Sequence, residues 1–196
     1  MKRRGGNPIG RSLARTRKVE ANQERRLETR GRRGMEMPVV QVRESFAGPW
    51  HEVFDWVANF ERYPEFVPDL TKVVVLERGE DWTISRWEAK IGGTPLGWTE
   101  RDVWVREKEG GRIVFEQLEG DLKRFSGHWK VACEGLGSTA EFRCEFEIGL
   151  PGLAIMLHPV AGLKLRQSMA GLLRNLKIRV EAAEDGTSIR FLDSPL

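Results

Sequence analysis

Between residues 70 and 148 the chain reads as six β-forming runs joined by turns too short for anything but antiparallel pairing. The runs span 72–77, 82–91, 96–106, 112–118, 125–133 and 139–148, punctuated by Arg78-Gly79, Gly92-Gly93, Gly110-Gly111, Gly120-Asp121 and the Gly135 to Gly137 stretch. The last run alternates cleanly: Ala140, Phe142, Cys144, Phe146 and Ile148 share one side, and Glu141, Arg143, Glu145 and Glu147 the other. Phe125, Gly127, Trp129, Val131 and Cys133 oppose Ser126, His128 and Lys130 in the same way. A sheet with one apolar and one wet face must be covered on the apolar side. The cover comes next: Pro159 suits a first helical turn, and Leu165, Met169, Leu172, Leu176 and Val180 step by four and three along one face of a helix of about twenty residues. A twisted, curved sheet and a straight helix cannot touch along their full lengths, so a wedge between them is expected to serve as a ligand cavity.

Ahead of this meander, 39–46 alternates like a strand and ends at Gly48-Pro49. Val53, Phe54, Val57 and Phe60 then give helical spacing, and Tyr63-Pro64-Glu65-Phe66-Val67-Pro68 makes a second short helical turn. The predicted order is β-α-α-β6-α, an α+β fold. Residues 184–196 form an extension in which 188–192 is expected either to pair as an edge strand or to remain loose.

Charge separates this body from the start of the chain. The formal net charge is +3, yet residues 1–37 hold 12 Lys/Arg against 4 Glu, which leaves 20 basic and 25 acidic residues for 38–196. The first segment has almost no large apolar side chains and cannot build a core. Three expectations attach to it: a basic arm touching phosphates without sequence preference, a targeting peptide, or a segment preceding a true start at Met35 or Met37. It has no aromatic residue to stack on a base, so specific nucleic-acid recognition is not expected, and any RNA contact would be non-specific and made by this tail. The folded domain is placed at 38–183.

Even the most apolar stretch, 150–176, is interrupted by His158, Lys164, Arg166 and Arg174, so no transmembrane segment is predicted. With no apolar signal core at the N-terminus, a cytoplasmic location is the default expectation. Cys133 and Cys144 match no metal or redox spacing and are expected to be separate, buried thiols. His128 falls on the wet face, His158 at a helix start and His51 on a surface turn, and no two of them have ligand spacing, so no metal is expected. Acyl-hydrolase, P-loop and dinucleotide fingerprints are missing, and no cofactor is expected.

Four local sequences carry a family resemblance: Arg62-Tyr63-Pro64-Glu65-Phe66-Val67-Pro68, Trp98-Thr99-Glu100-Arg101, the stretch from Gly120-Asp121 through Phe125 to His128-Trp129, and the amphipathic terminal helix. Together with the element order, over about 39–182, they resemble the START/Bet v 1-like helix-grip superfamily, in particular its polyketide cyclase/dehydrase and coenzyme Q-binding members. That resemblance implies a curved antiparallel sheet wrapped around a long C-terminal helix and a hydrophobic small-molecule partner, either a quinone-like lipid or an aromatic polyketide-type compound. Two further roles are implied for the same fold: an aromatase/cyclase or dehydrase, and a ribosome-associated interaction module. Relative to the cyclase pattern, Tyr63 stands in place of tryptophan, Thr99 in place of serine, and Gly97 where a bulky aromatic would narrow the cavity.

The candidate ligand-binding residues are Tyr63, Ser85, Trp87, Thr99, Arg101, Phe115, Phe125 and Trp129 from the sheet side, with Leu165, Met169 and Leu172 from the helix. If catalysis occurs, Arg101 would stabilise an enolate oxygen while Thr99 or Tyr63 relays a proton. The inward placement of Arg101 rests on a three-residue Gly92-Gly93-Thr94 turn, which sets Arg101 opposite Ser85 and Thr99 opposite Trp87. A one-residue slip would instead turn Leu96, Trp98, Glu100, Asp102 and Trp104 inward. That set is aromatic but buries two acids, and the first register is preferred.

Overall fold

A computed structural model describes residues 38–91, 93–149 and 154–184. The chain divides into two units, Met1–Met37 and Pro38–Leu196, and every described residue lies in the second. The basic arm and the stretch 188–192 therefore lie outside the described residues.

The elements run β1 (Val39–Phe46), α1 (Trp50–Ala58), a 3₁₀ segment (Phe60–Glu65), β2 (Leu70–Arg78), β3 (Trp82–Ile91), β4 (Thr94–Glu107), β5 (Gly110–Gly120), β6 (Leu122–Glu134), β7 (Gly137–Ile148) and α2 (Ala154–Glu184). One seven-stranded sheet has the order β1-β7-β6-β5-β4-β3-β2 with every neighbouring pair antiparallel. β2 to β7 form the expected meander, and β1 returns to pair with β7. The expected element order is reproduced, with Tyr63 and Pro64 in a 3₁₀ turn rather than an α-helix.

α2 is longer than the periodicity suggests: it has 31 residues and begins before Pro159, which sits inside it. Residues 154–157, ahead of His158 and Pro159, are all apolar and therefore give no amphipathic signal. α2 packs chiefly along β1 and β7, α1 covers β5 to β7, and the 3₁₀ segment lies on β2. At the α1 contact, the Phe54 ring occupies the space that a side chain at Gly111 would need.

The core contains Val40, Phe54, Val57, Ile113, Val131, Phe142, Leu172, Leu176 and Val180, all nearly inaccessible to water. Each fully buried aliphatic of this kind contributes about 1.5–3 kcal/mol relative to exposure. β7 shows the predicted alternation, with Ala140, Phe142, Cys144 and Phe146 buried. Cys133, in contrast, is exposed, which corrects the expectation of two buried thiols; it pairs with Ser138 near the β6–β7 turn. Among the described residues, no helix is long and apolar enough to cross a membrane.

Candidate functional site: an aromatic inner face around two buried acids

The site begins with the pleat of β3 and β4. Ile91 pairs with Thr94, which leaves two residues in the turn rather than three. The whole register moves with it: Ile84 faces Arg101, Ser85 faces Glu100, Arg86 faces Thr99, Trp87 faces Trp98 and Thr83 faces Asp102. Side chains alternate with period two, so this single residue exchanges the faces of β4. The expectation that Arg101 and Thr99 point inward with Ser85 and Trp87 is corrected. Arg101 is exposed, its guanidinium 5.3 Å from the centre of the Trp82 ring. Thr99 is buried on the outer face, where it accepts from Arg86 Nη1 at 3.2 Å and lies 3.3 Å from Glu119 Oε1. Gly97 also belongs to that face, with Arg86 over it, so its missing side chain opens no space on the inner side.

The inner face of β4 instead carries Trp98, Glu100, Asp102 and Trp104. Trp98 stacks on Trp87, with ring centres 5.7 Å apart and planes 12° apart, and meets Phe125 edge-on at 5.7 Å. Phe125 reaches Phe115 at 5.1 Å, and Phe115 stacks on Phe142 at 5.8 Å. Trp129 lies 4.7 Å from Phe142 and 6.3 Å from Tyr63, which in turn lies 6.0 Å from Trp87. Tyr63, Trp87, Phe115, Phe125 and Trp129 are thus gathered on one surface, with Phe125 and Trp129 facing as their alternation implied. Met169 and Leu172 are buried in the same core on α2, and Leu165 is half-buried against it.

Within this aromatic surface are two carboxyls, Glu100 and Asp102, which the preferred register had facing outward. Glu100 is 4% exposed and Asp102 is 3% exposed. Trp98 Nε1 donates to Glu100 Oε2 at 2.7 Å. Trp87 Nε1 donates to Ser85 Oγ at 2.8 Å, and Ser85 Oγ in turn donates to Asp102 Oδ2 at 3.2 Å; Thr83 Oγ1 lies 3.4 Å from the same oxygen. Ser85 is therefore inward as expected, holding a carboxyl. Burial pushes the Asp102 carboxyl up to about 7, partly opposed by the Ser85 and Thr83 hydroxyls. Glu100 rises well above the usual carboxylate range, through burial first and the neighbouring Asp102 second.

Two groups complete the surroundings. Tyr63, buried on the 3₁₀ segment, donates its hydroxyl to the Val57 carbonyl at 2.7 Å. Burial, then the charges of Asp102 and Glu100, raise it well above the ordinary phenol value. Gln117, directly opposite Glu100 on β5, donates Nε2 to the Leu122 carbonyl at 2.7 Å, while its Oε1 is buried without a hydrogen-bond partner among the described residues.

The histidines stand apart from this surface. His128 is on the outer face, half-buried, 3.9 Å from Glu141, and burial lowers its pKa. His158 lies within α2, where Nε2 accepts the Ile148 backbone N–H at 3.1 Å. His51 is exposed.

Solved structures share this fold. A protein from Thermus thermophilus superimposes with a TM-score of 0.67 at 26% identity, covering 74% of this chain and 99% of its own. An aromatase/cyclase from a Streptomyces species gives 0.68 at 18% identity, covering 78% and 99%. A START superfamily protein from Mycobacterium smegmatis gives 0.60 at 20% identity, covering 74% and 98%. A search of curated proteins by sequence found no match. The decisive likeness is at the family level: residues 47–172, more than half of the chain, match the family described as polyketide cyclase / dehydrase and lipid transport, and the protein, with its START/Bet v 1-like helix-grip fold, belongs to that family.

Proposed function

We propose that this protein binds a hydrophobic small molecule, a quinone-like lipid or an aromatic polyketide-type compound, between the inner face of β3 to β6 and α2. The observation that carries this reading is the pair of carboxyls set among Trp87, Trp98, Phe125 and Tyr63. A surface required only to be core would hold apolar residues there, because burying an acid costs several kcal/mol. The aromatic walls would take the apolar body of a guest, and the carboxyls its polar end. The family's description, which joins polyketide cyclisation and dehydration with lipid transport, supports the same class of guest. Arg101 is replaced in this role by Glu100 and Asp102.

The same pair favours a second reading, aromatase/cyclase or dehydrase chemistry. Two neighbouring carboxyls, one protonated and one ionised, are the parts of a general acid and a general base. Native mass spectrometry of the purified protein separates these from an empty scaffold. The expected spectrum shows added mass that is released by organic solvent, or a complex formed on adding Nile red. A chain that runs at its own mass and takes up no Nile red would refute small-molecule binding. Turnover of an added poly-β-ketone, lost in Asp102→Asn, would establish the catalytic reading over simple carriage.

A further inference from the structure

We infer that Glu100 and Asp102 act as one donor–acceptor pair, holding a single proton between them, and thereby select guests that carry a carbonyl and a hydroxyl on one apolar body. The inference rests on the small-molecule reading above and names the chemistry its guest must present.

The geometry supplies the reason. The two residues are i and i+2 on the inner face of β4, so their backbones are about 7 Å apart and their side chains point the same way. Neither makes an ion pair with a Lys, Arg or His among the described residues; the groups that donate to them are an indole N–H and hydroxyls. Two uncompensated charges at this separation in a poorly polarisable interior repel enough to make loss of the second proton about a hundredfold harder than loss of the first. A pair that has lost one proton presents one O–H donor and one carboxylate acceptor.

The donors on the protein side fit that state. The Trp87-to-Ser85-to-Asp102 chain is oriented to satisfy a negative oxygen. The buried Oε1 of Gln117, without a hydrogen-bond partner among the described residues, stands opposite Glu100 and marks this part of the surface as able to take a further donor. The other titratable groups facing the pair are Tyr63 on the 3₁₀ segment and Cys144 on β7. Tyr63 is held well above its ordinary value and burial pushes the Cys144 thiol up to about 12, so neither adds a charge to the pair at neutral pH. A guest carbonyl then accepts from the protonated carboxyl, and its hydroxyl donates to the ionised one.

The test uses probes that do not titrate. Binding of benzophenone, para-hydroxymethylbenzophenone and the hydrocarbon dye diphenylhexatriene, which has no group to donate or accept a hydrogen bond, is followed by quenching or dye fluorescence between about pH 5 and about pH 10, in the full-length protein and in Glu100→Gln and Asp102→Asn. The hydroxymethyl compound should bind at least about tenfold tighter than benzophenone, the scale of a hydrogen bond to a charged acceptor. Its affinity should peak where the pair is singly protonated and fall on both sides, while that of the hydrocarbon dye stays flat. Each near-isosteric variant should still bind the hydrocarbon dye, which touches only the aromatic walls, and lose one limb of the profile. Equal affinity for the two ketones, a flat profile, or an unchanged bell in both variants would overturn the inference while leaving small-molecule binding in place if the hydrocarbon dye still binds. Failure of all three probes to bind would overturn both.

Discussion

At the scale of single residues, the decisive groups are Asp102 and Glu100. Asp102 in the unfolded chain titrates near the ordinary value of about 4, and in the folded protein near 7. Between those limits the folded state holds a proton that the unfolded chain has lost, so stability declines as pH rises through this window and levels off above it. Glu100 acts in the same direction. Ligand-free protein should therefore melt at a lower temperature at about pH 8 than at about pH 5, and Asp102→Asn should narrow that gap by several degrees; thermal scans at both pH values are the check. An unchanged gap would mean that Asp102 is ionised at ordinary cost. Tyr63→Phe removes the donor to the buried Val57 carbonyl and should cost about 1–3 kcal/mol in denaturant unfolding. The aromatic half of the site was legible in the sequence because the inward positions of Phe125 and Trp129 follow from the alternation of β6, while Tyr63 stood out through the family resemblance. The acids were not: hydropathy alone favours a face without Glu100 and Asp102, and their compensation by Ser85, Thr83 and two indoles appears only once the strands are paired.

At the scale of elements, the limiting quantity is turn length. Alternation within β7 or β6 needs only the pleat, and it reads correctly from the sequence. The facing of β4 relative to β3 depends on whether two or three residues make the turn after Ile91, and one residue reverses Arg101 and Asp102. The helix start was hidden for a different reason, because an apolar run ahead of Pro159 has no periodicity to read. Gly120 shows how tightly β4 and β5 are matched. It has φ +147° and any Cβ there would collide with Trp98, so Gly120→Ala should destabilise the protein and perturb the near-ultraviolet dichroism of the stacked Trp87–Trp98 pair. On α2, Leu176 is fully buried. Leu176→Ala should cost about 2–5 kcal/mol by chemical denaturation, and a loss below about 1 kcal/mol would contradict the tight seating of α2.

At the scale of the whole molecule, a net charge of +3 conceals a basic first segment and an acidic body. Binding to heparin or RNA at low salt should reside in residues 1–37 and disappear when they are removed, while binding of an apolar guest persists. The central claim, however, concerns where that guest sits, and photolabelling reads this directly. Benzophenone inserts into C–H bonds within reach of its carbonyl, so irradiated protein digested and sequenced by mass spectrometry reports the residues lining the bound probe. Adducts are expected on peptides containing Trp98, Phe125 and Met169, suppressed by excess Nile red. Adducts confined to exposed apolar residues such as Leu76, Leu118 and Leu136, or labelling that Nile red does not suppress, would contradict it.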